Sequence, residues 1–214
     1  MAQNPIKFFN DVPNIKDALK SRFSFLEIFF VVLIVSILGY VVVAVLSPAE
    51  IIRQSRDGQR MVELVDLSQA ISLEKANLGS GNFGLLKTVY ISVPAESSDC
   101  DYLSSNPMHL PELPVGWDYH CVSAASLRNV DGTGWVPLNL SNEMASFKVL
   151  PIDPVNNPAH NLFYSYYPGI GGYKVMARLE SKKHSFDGRV GDLSARVAGG
   201  YGVLEKGTDL NIGH

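Results

Sequence analysis

Residues Phe23 to Leu46 read FSFLEIFFVVLIVSILGYVVVAVL. Glu27 is the one charged residue in that stretch, and from Ile28 onward only Ser36 and Tyr40 carry polar side-chain groups. A helix needs about 20 apolar residues to cross a hydrocarbon core of roughly 30 Å. At about 1.5 Å per residue the stretch reaches about 36 Å as a helix. Many of its residues are β-branched, yet a lone segment in lipid can satisfy its backbone only as a helix. The buried helix of a soluble domain is usually shorter and seldom apolar on every side. The stretch therefore predicts one transmembrane helix, over residues 23–48.

Glu27 has two readings. A carboxylate at the start of an apolar run is costly unless neutralised or paired. At headgroup depth it would favour the helix N-terminus, where the dipole welcomes an anion. The other reading comes from the pattern FSFLEIFFVVLIVSILG, which resembles the N-terminal signature of type IV pilins and pseudopilins. Those chains place a Phe at a processing point, a Glu four residues later, and then a long apolar helix. Phe23 and Glu27 match that pattern. The resemblance implies a peptidase cut before Phe23, methylation of the new amine, and pairing of the Glu27 carboxylate with the Phe23 amine of a neighbouring subunit. In low dielectric that pair is far stronger than in water. The chain departs from the family at two positions. Arg22 stands where glycine normally precedes the cut, and Ser36 stands where the helix usually has glycine.

The preceding residues, MAQNPIKFFNDVPNIKDALKSR, carry Lys7, Asp11, Lys16, Asp17, Lys20 and Arg22. The basic residues nearest the apolar run, Lys20 and Arg22, predict a cytosolic N-terminus and an extracytoplasmic C-terminal domain. A secretory signal peptide is the competing assignment, but the apolar run exceeds the usual length and no clean small-x-small site follows. Residues 1–22 are thus expected to be a cytosolic leader, removed if the cut occurs. The anchor itself stays in the inner (cytoplasmic) membrane.

Composition narrows the rest. The chain has 214 residues, 18% charged, with a formal net charge of −3. That suits one membrane helix and one small domain, and gives no polybasic footprint for nucleic acid. Cys100 and Cys121 lack C-x-x-C spacing. In an extracytoplasmic domain a single disulfide is their natural pairing, whereas cytosolic cysteines would more often stay free.

After the apolar run, Ser47-Pro48 predicts a helix bend at Pro48. Residues 49–78 then read as an amphipathic second half of the same long helix. Ile51, Met61, Leu64, Val65, Ser68, Ile71 and Ser72 recur at three-to-four spacing on one face. The segment from Arg53 to Ala76 also resembles the corresponding helix of pseudopilins from small-genome bacteria. Arg53, Arg56 and Arg60 read as a solvated basic face, open to lipid headgroups or to a neighbour's acids.

Residues 79–214 predict a β-rich domain. Leu86–Val93 (LKTVYISV) and Trp117–Val122 (WDYHCV) are candidate strands. LFYSYY (162–167), the turn PGIGG and YKVMARL (173–179) form the clearest β-hairpin. The order LPIDPVNN, LFYSYY, GGYKVMARLES, and the final YGVLEKGTDLN, resemble the sheet and tail of major pseudopilins. The implied fold is α+β and pilin-like, with the long helix on a small antiparallel sheet. Related pseudopilins bind calcium, and Asp187, Asp192 and Asp209 are the weak candidates here, though their spacing is not that of a 12-residue calcium loop. No cofactor is otherwise expected.

No catalytic constellation stands out. His120 beside Cys121 would point to opposite strand faces. Gly169–Gly172 lacks the lysine of a phosphate loop. The expected function is a structural subunit of a type IV pilus or type II secretion pseudopilus. Its implied partners are further copies in a filament, the prepilin peptidase, an inner-membrane assembly platform and the lipid bilayer. Nucleic acid would enter only through a DNA-uptake filament. The alternative is a non-assembling single-pass protein that displays an extracytoplasmic binding domain.

Overall fold

The computed structural model describes residues 24–79, 83–96, 98, 100, 110–141, 147–186, 194–198 and 201–213. The chain divides into two compact units, Met1–Pro48 and Ala49–His214.

The first unit contains helix α1, Phe25–Leu46. The amides of Glu27 and Ile28 donate to the Ser24 carbonyl at 2.8 and 3.2 Å. Ser36 Oγ donates to the Val32 carbonyl at 2.8 Å, so this hydroxyl is satisfied inside its own helix. Ser47 then adopts φ 40° and ψ 70°, and its N–H bonds back to the Val43 carbonyl. That left-handed residue ends α1. The sequence placed a bend at Pro48 within one continuous helix. Instead the helical run divides at Ser47, and Pro48 opens the next helix. Proline suits a first helical position, where the missing N–H would have no intrahelical partner anyway.

Helix α2, Pro48–Leu78, belongs to the second unit from Ala49 onward. Its buried stripe is Asp57, Arg60, Leu64, Leu67, Ile71 and Glu74. The stripe steps by three and four residues, as one helix face must. The apolar face predicted from sequence is correct at Leu64 and Ile71, but Ile51 is exposed. The sheet has six strands in the order β2-β1-β3-β4-β6-β5. They are β1 (Thr88–Pro94), β2 (Asp118–Val122), β3 (Tyr164–Pro168), β4 (Tyr173–Arg178), β5 (Ser194–Ala198) and β6 (Tyr201–Gly207). A short helix, α3 (Lys182–Phe186), separates β4 from β5. β1 and β2 pair in parallel, and the other neighbours pair antiparallel. The class is α+β, with a mixed sheet rather than the purely antiparallel one expected.

The β3–β4 hairpin lies where the alternation put it, with Tyr166 opposite Val175 and Pro168 opposite Tyr173. Its turn is closed by the Gly169 amide on the Gly172 carbonyl at 2.9 Å. Alternate residues supply two cores. On one face Tyr164, Tyr166, Tyr173 and Val175 pack with Leu64, Leu67 and Ile71 of α2 and with Trp135 and Leu150. On the other, Val89, Ile91, Phe163 and Tyr167 pack around Cys100 and Cys121. Large aromatics can be buried because their polar tips are satisfied. Tyr173 Oη lies 2.9 and 2.7 Å from the Ser68 and Ser72 hydroxyls. Tyr166 Oη donates to the Phe83 carbonyl at 2.7 Å, and Trp135 Nε1 to the Pro151 carbonyl at 2.9 Å.

Cys100 and Cys121 are disulfide-bonded across 21 residues. The bond ties the segment after β1 to β2 and sits in the second core. Reducing it should lower stability by about 2–4 kcal/mol. Thermal denaturation with and without a reductant measures this, and an unchanged midpoint would show that the second core holds without the crosslink.

Candidate functional site

Two features have chemistry to explain. The first is α1. Every residue from Ser24 to Val43 is exposed. Seventeen of the 22 helical residues are Leu, Ile, Val or Phe, and they occur on every side. Such a helix is about 33 Å long, enough for one crossing. Each of those residues favours the membrane by about 0.3–0.6 kcal/mol at the helix centre. The sum is about 5–10 kcal/mol, against about 3 kcal/mol for one ionised carboxylate at the centre. The helix α1 is long and apolar enough to cross a membrane once. Glu27 lies exposed in its first turn, where the helix dipole favours an anion.

The second feature is a buried ion cluster at one end of the sheet. Arg60 is fully buried. Its Nε and Nη2 donate to the two oxygens of Asp153 at 2.6 and 2.8 Å. Nη1 donates to Asp57 Oδ1 at 2.8 Å, and Nη2 also donates to Glu180 Oε1 at 2.6 Å. The carboxylates have further donors. Asp57 accepts the amides of Glu180 and Ser181 at 2.9 and 2.8 Å. Asp153 accepts the amides of Val155 and Asn156 at 2.8 and 3.1 Å. Arg56 adds a bidentate contact to Glu180. His184 Nδ1 lies 3.3 Å from Asp57 and 2.9 Å from the Ser181 hydroxyl.

Burial pushes the carboxyl of Asp57 up, but hydrogen bonds from Ser181, the Glu180 amide and Arg60 outweigh it and hold it below its ordinary range. The same balance, with Arg56 and Arg60 as the opposing donors, keeps Glu180 low. For Arg60, burial works against the charge and Asp153 and Glu180 overcome it, so its pKa is raised. A charged group so fully hydrogen-bonded positions elements rather than exchanging protons. The cluster joins α2, the turn after Asp153 and the end of β4.

The other residues singled out from sequence fall as follows. Arg22 and Phe23 lie outside the described residues, as do Asp187 and Asp192. Asp209 is exposed, and its carboxylate accepts the Asn211 amide at 3.1 Å in a local turn. Among the described residues no three His, Cys, Asp or Glu side chains come together as metal ligands. Cys121 is in the disulfide, so it offers no thiol to His120. His120 instead packs its ring 4.8 Å from that of Tyr90, and burial lowers its pKa. The expectation of a solvated basic face holds for Arg53 and is corrected for Arg60, which faces the interior. The signal was present, because Asp57 and Arg60 continue the three-four step of Leu64, Leu67 and Ile71 toward the helix start. No protein-family model, curated protein or solved structure matches the chain.

Two outcomes follow from the cluster. Arg60→Met leaves Asp57 and Asp153 buried without their cation and should destabilise the domain by about 3–5 kcal/mol in chemical denaturation. The lowered carboxyl pKa values of Asp57 and Glu180 contribute stability that is complete above the unfolded value of about 4 and is lost as pH falls through the folded values. The melting midpoint should thus drop below about pH 4, and less steeply in Asp57→Asn. A midpoint that stays flat in acid would contradict this.

Proposed function

We propose that this chain is a membrane-anchored structural subunit that polymerises through its apolar helix into a filament, of a type IV pilus or type II secretion pseudopilus. The observation that carries this reading is α1, exposed and apolar on every side with a lone carboxylate in its first turn. An apolar surface of that size is far beyond the few hundred Å² that a soluble monomer exposes, and it must be covered by lipid or by other helices. One surface can meet both demands in succession. In the bilayer the helix is solvated by acyl chains, and in a filament the same residues pack against copies of themselves.

Glu27 then acts as the selector. Inside a filament core it requires a cation, and a processed neighbour supplies one as the Phe23 amine. Charge neutralisation sets the register in which helices stack. Further support comes from the domain, where a long helix covers one face of a small sheet and a disulfide fits an extracytoplasmic site. Lys20 and Arg22, the basic residues nearest the apolar run, favour an orientation with the domain outside the cytosol. Arg22, where glycine normally stands, favours the second reading, an uncleaved single-pass protein that displays its domain without assembling.

The N-terminal mass of the protein from its native membrane separates the two. A chain beginning at methylated Phe23 supports assembly, and a chain retaining residues 1–22 supports the non-assembling form. Glu27→Ala should leave membrane insertion intact while reducing sheared-filament yield by at least about tenfold, the loss expected for an unpaired amine in low dielectric. Wild-type yield from that variant would remove Glu27 from assembly.

A further inference from the structure

Residues 139–141 read Asn-Leu-Ser, the acceptor triplet of N-linked glycosylation, and no other Asn of the sequence stands two residues before a Ser or Thr. A triplet by itself says little, so its presentation decides. Leu138 and Leu140 are buried in the first core, while Asn139 and Ser141 are exposed. The backbone holds this alternation. Asn139 bridges Asp131, and the Leu140 amide donates to the Val130 carbonyl at 2.7 Å. Extended residues alternate in direction, so anchoring the two leucines inward turns Asn139 and Ser141 outward. Asn139 Oδ1 accepts the Ser141 amide at 3.0 Å and the Ser141 hydroxyl at 2.5 Å. The purely structural reading is that this turn only ends the bridge. Asp131 makes the same turn, accepting the amide and hydroxyl of Thr133 at 3.0 and 2.6 Å. Asn139 differs from Asp131 in carrying an amide nitrogen, the atom that takes a sugar, on an exposed side chain.

An amide nitrogen is a poor nucleophile because its lone pair is delocalised into the carbonyl. It becomes a better one as its proton leaves and negative charge builds on the oxygen. Donors already aimed at that oxygen stabilise the charge where it develops. Ser141 supplies two of them, and the hydroxyl is the one that only Ser or Thr can provide. The Cys100–Cys121 disulfide fits an oxidising compartment, where acceptor triplets meet their transferases. We propose that Asn139 is a glycosylation site, whose donor is an oligosaccharide carried on a lipid as a glycosyl pyrophosphate. The bond from Asn139 Nδ2 to the sugar C1 forms as the bond from C1 to the pyrophosphate oxygen breaks. The Nδ2 proton passes to a base of the transferase, and the lipid pyrophosphate leaves. Nothing is oxidised or reduced. This rests on the proposed extracytoplasmic position of the domain.

The test uses the full chain purified from its native membrane. Trypsin cuts after Arg128 and Lys148, so the triplet is released on one peptide, residues 129–148. Electron-transfer mass spectrometry of that peptide should place a sugar mass on Asn139. Occupancy should vanish in Asn139→Gln and persist in Ser141→Thr. In Ser141→Ala it should fall at least about tenfold, as expected when one hydrogen bond to a developing charge is lost. Both altered side chains are exposed, so the melting midpoints of the unglycosylated variants should match that of enzymatically deglycosylated wild type. A bare Asn139 in the native chain would overturn the site, as would a sugar found on Ser141 instead. Full occupancy in Ser141→Ala would overturn the role of the hydroxyl. Protease added to intact spheroplasts scores the compartment separately. A domain digested there with Asn139 bare defeats the glycan assignment alone, whereas a domain digested only after lysis defeats the extracytoplasmic reading on which it rests.

Discussion

Arg60 has no contact with water, and an uncompensated guanidinium in that position would cost more than the whole domain can spare. Three carboxylates from three parts of the chain meet it: Asp57 from its own helix, Asp153 from the loop before β3, and Glu180 from the end of β4. Each of these carboxylates also accepts another donor, Arg56 for Glu180 and backbone amides for Asp57 and Asp153. Arg60 therefore settles where the start of α2 lies on the sheet and how the chain turns after Asp153 and after Arg178. Hydrophobic packing by Leu64, Leu67 and Ile71 supplies most of the burial along the helix, but it is non-directional. The ion cluster adds direction, because a bidentate guanidinium–carboxylate pair tolerates little rotation.

The two units face opposite problems. In the domain, buried charge needs fixed partners. In α1, exposed apolar surface needs cover of any apolar kind. A helix without polar faces has no preferred side, so lipid and identical helices can cover it equally well. Glu27 is the one charged residue of α1.

Sequence alone grouped Arg53, Arg56 and Arg60 as one solvated basic face. In the fold they divide into an exposed arginine, a half-buried one and a buried one. Spacing explains the division, since Arg60 lies on the Leu64–Ile71 stripe and Arg53 does not.

What the sequence determined by itself was whatever its local pattern encodes. The apolar run encodes α1, Phe25–Leu46, a helix long enough for one membrane crossing, since a lone segment in lipid could satisfy its backbone in no other way. Alternation around PGIGG specifies the β3–β4 hairpin because the two strands are neighbours in the chain. The extent of α2 is legible from its three-four periodicity. The tertiary structure alone decided the parallel pairing of β1 with β2, the place of β5 at the sheet edge and the burial of Arg60. These depend on partners far apart in sequence, 93 residues for Arg60 with Asp153 and 120 for Arg60 with Glu180. A charged side chain looks like surface until its counter-ions arrive, and no local periodicity records which distant carboxylates those will be.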